Sequence, residues 1–234
     1  MPPSPVLRTM LVCLCTAILP PALHAAEAGA LLRAVAARYT SATDYTLRVH
    51  TKSGSTSFDI TLAARRPRQF RAHQKSRTSD PFELLLIADA ATVWGYQPRR
   101  RLYTRFGPEP GEERSELERL HHQYFGRFQS LDRRTTGASL AGQGSVRSGG
   151  QTIRCIRVRI EPTLGDGPEE LWIDPNRHLV LKSVQRQKRP VPETGDIRTT
   201  TTWSECDLDA PVDPALFSFV PPSGARRTNA LEIR

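Results

Sequence analysis

Recognisable catalytic machinery is what this sequence lacks. It has no G-x-S-x-G nucleophile turn, no phosphate-gripping P-loop and no G-x-G-x-x-G. Of six histidines, five follow residue 25, and the adjacent pair His121-His122 falls on different faces of a helix instead of the i, i+4 spacing that holds zinc. No C-x-x-C is present to depress a thiol pKa. No apolar run reaches the length of a bilayer-spanning helix, and neither an internal repeat nor a domain linker interrupts the chain. The carboxylates have structural explanations. Glu112, Glu113, Glu116 and Glu118 suit a helix N-terminus, and Asp174 suits a turn whose backbone it caps. These absences predict a binding or structural protein that uses no metal and no cofactor, not an enzyme.

The first residues, MPPSPVLRTMLVCLCTAILPPALHAAEAG, supply the compartment. Arg8 precedes an apolar run from Met10 to Leu19, and small residues follow Pro20-Pro21. That order is a secretory signal peptide, with cleavage expected after Ala25 or Ala26. Cys13 and Cys15 lie inside the apolar core, and Val12 and Leu14 stand where a lipid-attachment signal needs small residues, so no lipid anchor is expected. Removing Met1–Ala25 takes away only Arg8 among the counted charges, so the net charge of +9 falls by one. About 209 of the 234 residues remain, a size suited to one domain over residues 26–234. A basic, exported protein is drawn to lipid head groups sooner than to nucleic acid, although arginines scattered along a sequence are ordinarily solvated surface.

Four cysteines are encoded, and cleavage leaves Cys155 and Cys206. A pair in an oxidising compartment predicts a disulfide. Closing a loop of roughly 50 residues, it would stabilise by on the order of 4 kcal/mol in the chain-entropy model.

Periodicity then orders the elements. Leu31, Leu32, Val35, Ala36 and Tyr39 recur at helical spacing. The period changes to two in YTLRVHTK, where Tyr45, Leu47 and Val49 alternate with polar residues, and again in SFDITLAAR with Phe58, Ile60 and Leu62; KSGST between them makes a hairpin. RRPRQFRAHQ is a third strand with Pro67 at its start. FELLLIADA is an apolar run buried on both sides. VWGYQPRRRLYTRF is two strands around a tip at Pro98, with Arg99–Arg101 in water. SELERLHHQYFGRFQSL is helical, its stripe formed by Leu117, Leu120, Tyr124, Phe128 and Leu131. TGASLAGQGSVRSGGQ reads as a Gly/Ser-rich connection. Alternating strands in TIRCIRVRIEP, EELWIDPNRHLVLKSVQRQ and TTTTWSECDLD complete the chain. The predicted class is α+β: a strongly curved antiparallel sheet of about 9–11 strands, an unclosed half β-barrel, covered on its concave face by two or three helices.

Three stretches, RRPRQF, ADAATVWGYQP and PVDPALFSFVPPSGA, follow the signal peptide in an order that resembles the LolA-type periplasmic carriers of outer-membrane lipoproteins. That family shows an Arg-Pro-x-x-Phe strand start, a D-G-x-x-x-W-x-Y hairpin and a closing F-x-F-x-P-P-x-G. The resemblance covers nearly the whole exported chain. It implies a half-open barrel that holds acyl chains without chemistry or cofactor, in transit from inner to outer membrane. It also places at Arg66 the arginine that holds the helical lid shut. Two departures mark a divergent branch: Asp89-Ala90 replaces Asp-Gly, and the Cys155/Cys206 pair is added.

On that reading Leu47, Val49, Phe58, Ile60, Leu62, Phe70, Trp94, Tyr96 and Trp172 are the candidate lining of an apolar cavity, with Trp94 and Tyr96 facing inward together. Partners would be acyl chains of lipoproteins or another lipid, and transfer proteins of the inner and outer membranes. No nucleic acid is expected, and the protein is expected to be a monomer. The alternative is a periplasmic sensor or scaffold with the same fold and no transport role.

Overall fold

A computed structural model describes residues 21–65, 69–78, 81–89, 92–106, 112–163, 167–188, 195–229 and 231. The expected signal peptide up to residue 20, and Arg66, Pro67 and Ala90, lie outside the described residues. Helix α1 (Pro21–Ser41) leads into β1 (Asp44–Ser53), and β2 (Thr56–Arg65), β3 (Gln69–Ser76), β4 (Glu83–Ala88), β5 (Val93–Gln97) and β6 (Leu102–Phe106) follow. Helix α2 (Glu112–Tyr124) and the 3₁₀ turn Gly126–Ser130 come next. Then come β7 (Thr135–Ser148), β8 (Gln151–Pro162), β9 (Glu169–Asp174), β10 (Leu179–Lys188), β11 (Asp196–Leu208), a second 3₁₀ turn (Pro214–Phe217) and β12 (Arg226–Arg227).

All twelve strands form one sheet in the order β12-β6-β5-β4-β3-β2-β1-β11-β10-β9-β8-β7. Two meanders therefore run outward from the central β1–β11 pair, and every pairing is antiparallel except β12 with β6. The connection from β6 to β7 joins opposite ends of the sheet, and α2 and the 3₁₀ turn lie on it. This crossover, with α1, covers the concave face. The sheet is rolled: β7 stands four places from β11, about 19 Å along a flat sheet, yet Gly149 at the β7–β8 tip donates its backbone N–H to the Ser204 carbonyl at 2.7 Å.

The helices follow the predicted stripes. Leu32, Val35, Ala36 and Tyr39 of α1 are buried, as are Leu117, Leu120 and Tyr124 of α2. The second stripe does not continue as one helix, because at Gly126 the chain tightens into the 3₁₀ turn that seats Phe128. The segment read as a Gly/Ser-rich connection is instead the fourteen-residue strand β7. Its glycines serve that strand. Gly142 has φ +96° at a bulge opposite Arg157, where positive φ favours glycine. A Cβ on Gly144 would come within 2.7 Å of the Trp172 indole nitrogen.

Cover and sheet are tied together at Trp203. Its indole is fully buried on β11 beside Val49. Nε1 donates to the Tyr124 carbonyl at 3.1 Å, satisfying one of the acceptors left open at a helix C-terminus, and the ring meets Phe128 nearly edge-on at 5.4 Å. Trp203→Phe keeps an aromatic ring but strands that buried carbonyl. Loss of about 1–3 kcal/mol is expected, read as a lower denaturant midpoint with unchanged m-value; an unshifted midpoint would remove this contact from the account.

Candidate functional site

The concave face carries six of the nine predicted lining residues. Leu47, Val49, Ile60 and Leu62 are buried in the main core, and Phe58 and Phe70 pack against it partly buried. They do not face an empty hollow. The space between them and the helices is filled by Tyr39, Tyr45, Phe125, Phe128 and Trp203. The rings of Tyr45 and Phe125 stack at 4.0 Å, Tyr39 lies 5.1 Å from both Phe125 and Phe128, and Phe70 meets His121 edge-on at 5.0 Å.

The other three predicted lining residues face the opposite way. On β5 it is Val93, Gly95 and Gln97 that are buried towards the helices, so alternation turns Trp94 and Tyr96 to the convex face. There Phe219 of the C-terminal segment covers them, its ring 5.4 Å from Trp94 and 5.5 Å from Tyr96. The W-x-Y and F-x-F stretches thus belong to one outer patch, in which Phe217 packs on Ala63 and Val212. Trp172 lies at the margin of the main core but on the strand face opposite Leu171 and Ile173. The cations of Arg157 and Lys182 sit over its ring at 5.4 and 4.5 Å.

A cavity does open, at the rim and not at the centre. About 240 Å³ lies between the 3₁₀ turn that follows α2 and the ends of β8–β11, and none of the nine predicted lining residues borders it. Phe128, Leu131 and Ile160 form its apolar side. Beside Ile160 the inner face of the sheet turns polar, with Glu169, Ser183, Gln185, Thr199 and Thr201. Arg127 spans the two. Its guanidinium donates to Glu169 at 2.8 Å and to the Ser183 hydroxyl at 3.3 Å and lies over the Phe128 ring at 4.8 Å, while its buried Nε has no hydrogen-bond partner. His122 and Arg134 stand at the mouth, joined by a 3.2 Å hydrogen bond. Burial first, and the neighbouring arginine charges second, hold the His122 imidazole below its ordinary pKa. Sequence reasoning missed Arg127, Glu169 and Arg134. The nearest signal was Arg127 itself, a charge set beside Phe128 on the buried stripe.

The expected disulfide is absent, and Cys155 and Cys206 are buried free thiols. Each sulfur has its own partner: Cys155 Sγ donates to the Ile153 carbonyl at 3.6 Å, and Cys206 is hydrogen-bonded to Tyr39. Burial raises the thiols to about 11 at Cys155 and about 12 at Cys206, so at pH 8 neither is a nucleophilic thiolate. Two thiols should therefore react with maleimide in denaturant without reductant, and neither in the native protein. Only a zero count in denaturant would restore the bridge. Among the described residues no group of three or more His, Cys, Asp or Glu is placed to hold a metal ion, and no helix is long and apolar enough to cross a membrane.

Similar folds occur among solved structures. LprF from Mycobacterium bovis is 14% identical with a TM-score of 0.51, covering 86% of this chain and 98% of that one. An uncharacterized conserved protein from Thermus thermophilus is also 14% identical, with a TM-score of 0.48 and the same coverage of 86% and 98%. A chain of the Pseudomonas aeruginosa MucA/MucB complex is 12% identical with a TM-score of 0.44, covering 83% of this chain and 61% of that one. No curated protein matches the sequence. A family model matches residues 28–230, almost everything beyond the expected cleavage point, and the chain belongs to the family described as predicted periplasmic protein (DUF2092).

Proposed function

We propose that this periplasmic protein binds acyl chains, of lipoproteins or of another lipid, between its helical cover and the concave sheet, and shields them from water on the way to the outer membrane. The observation that carries the reading is the rim cavity. Its apolar wall of Phe128, Leu131 and Ile160 is shared with the main core, the Arg127–Glu169 pair lies inside it, and His122 and Arg134 stand at its mouth. At about 240 Å³ it falls below the roughly 300 Å³ at which small-molecule sites begin, so on this reading the cavity must widen to take an acyl chain. An acyl chain enters by displacing the 3₁₀ turn and the rings it carries.

The energetics suit a carrier. Each buried methylene contributes roughly 0.8 kcal/mol, and the cost of lifting Phe128 from Trp203 and parting Arg127 from Glu169 offsets part of that, which keeps release feasible. No chemical step is assigned; the protein binds and lets go. The transfer proteins of the two membranes would be its partners, as the LolA-type resemblance implies. One observation favours a second reading, a sensor or scaffold with the same fold: the centre of the concavity is already filled by Tyr45, Phe125 and Trp203.

Native mass spectrometry of protein purified from periplasm, paired with displacement of a fluorescent fatty acid, separates the two. Co-purifying acyl chains are expected. Ile160→Trp, which narrows the cavity wall, should weaken probe binding by about tenfold, and Thr152→Ala, exposed near the β7–β8 tip, should leave it unchanged. A lipid-free protein that does not bind the probe would leave the sensor reading.

A further inference from the structure

We infer that the convex face of β8–β11 is a docking surface for the anionic head groups of a phospholipid bilayer. Strand register gathers five cations there from separate parts of the sequence. Arg157 and Arg159 lie two apart on β8 and pair with Trp172 and Glu170. Lys182 on β10 pairs with Trp172, and Arg186 stands directly opposite Arg198 on β11. Alternation from these pairings puts all of them on one face. A groove of about 430 Å³ runs among Arg157, Arg159, Trp172, Arg186 and Arg198.

The charge on this face is unbalanced. Five cations face three carboxylates: Glu170 is engaged by Arg157 through two hydrogen bonds of 2.8 and 3.2 Å, and Glu161 and Asp196 lie exposed at the margin of the face, one alternation step from Arg159 and Arg198. Arg159, Arg186 and Arg198 are exposed, and none makes an ion pair with another described residue. Like charges facing each other across a strand pair destabilise it, so Arg186 and Arg198 gain most from an external anion placed between them. The cations repeat at strand spacing, about 4.8 Å across and 6.8 Å along, which suits an array of phosphates more than one small anion. In the periplasm the abundant array of that kind is a membrane surface. Trp172, under two cations at the centre, belongs to the residue type enriched at the head-group level. The inference does not depend on what the concavity holds.

The test is flotation of the full exported chain with vesicles of phosphatidylglycerol mixed into phosphatidylcholine, against phosphatidylcholine alone. Binding is expected only to the anionic vesicles, and should be lost at about 0.5 M salt, where the Debye length falls well below 10 Å. Each surface cation is worth about fivefold in such binding, so Arg159→Ser/Arg186→Ser/Arg198→Ser should weaken it on the order of a hundredfold. The control Arg99→Ser/Arg133→Ser/Arg226→Ser removes the same charge from exposed sites elsewhere and should keep most of the binding. Thermal unfolding checks that both variants are folded. Equal losses in the two triples, equal binding to neutral vesicles, or tighter binding to polyglutamate than to anionic vesicles would each overturn the inference, the last by making the partner an acidic protein.

Discussion

One geometric constraint governs this molecule: its chain must pass from one end of a twelve-stranded sheet to the other. The strand order puts β6 and β7 at opposite ends, about ten interstrand steps or 48 Å apart along the sheet. A thirteen-residue α2 spans only about 20 Å. Rolling the sheet shortens the journey and creates a concave face in the same act, and the crossing segment is then available to cover that face. Trp203 secures the arrangement by giving the end of α2 a buried hydrogen bond to the sheet, close to where the cover tightens into its 3₁₀ turn. The cover is held to the sheet by aromatic contacts, side-chain hydrogen bonds and the buried Arg127–Glu169 ion pair, not by a ladder of backbone hydrogen bonds.

Periodicity revealed most of this architecture. Alternation marked β1, β2 and β8–β11, and the 3.6-residue stripes marked both helices, because burial on one face is imposed directly on the sequence. What it cannot state is which face of the sheet a stripe will meet. Trp94 and Tyr96 are two apart and do share a side, but that side is decided by Phe219, a residue more than a hundred positions away. Strand β7 was hidden because its glycines answer to a bulge at Gly142 and to the indole of Trp172 against Gly144, both tertiary demands. A cysteine pair in an exported chain predicts a bridge from compartment alone, yet each thiol here found a separate buried partner. Trp203 was legible as a tryptophan in an alternating strand, but nothing local marks it as the side chain on which the cover rests.

The candidate site is where the concave face changes character. Along the inner face of β9–β11, Leu171 gives way to Glu169, while Ser183, Gln185, Thr199 and Thr201 replace aliphatic residues. Burying this end under the lid would strand polar groups. Glu169, Ser183 and Thr201 are buried all the same, and each has a partner: Arg127 bridges the boundary, donating to Glu169 and Ser183 while laying its planar face on Phe128, and Thr201 bonds Thr51. An amphipathic ligand matches such a boundary better than a wholly apolar one, since its tail can follow Phe128 and Leu131 inward while a polar end remains at the lip.

The same strands that line this rim carry the arginines of the convex face, and the alternation of side chains makes the two faces independent. In sequence those arginines are unremarkable, spread from residue 157 to residue 198 among threonines and glutamines. Folding aligns them, because an antiparallel meander sets residues two apart on one strand beside residues dozens of positions away on the next. The register of β10 with β11 brings Arg186 to Arg198, an arrangement that lowers stability by itself. A protein with 33 lysines and arginines can distribute charge in many ways that avoid such a pairing. One end of the sheet thus presents an amphipathic opening on its inner side and an excess of positive charge on its outer side, which suits that end, and not the Phe219-covered end, to meeting an anionic surface.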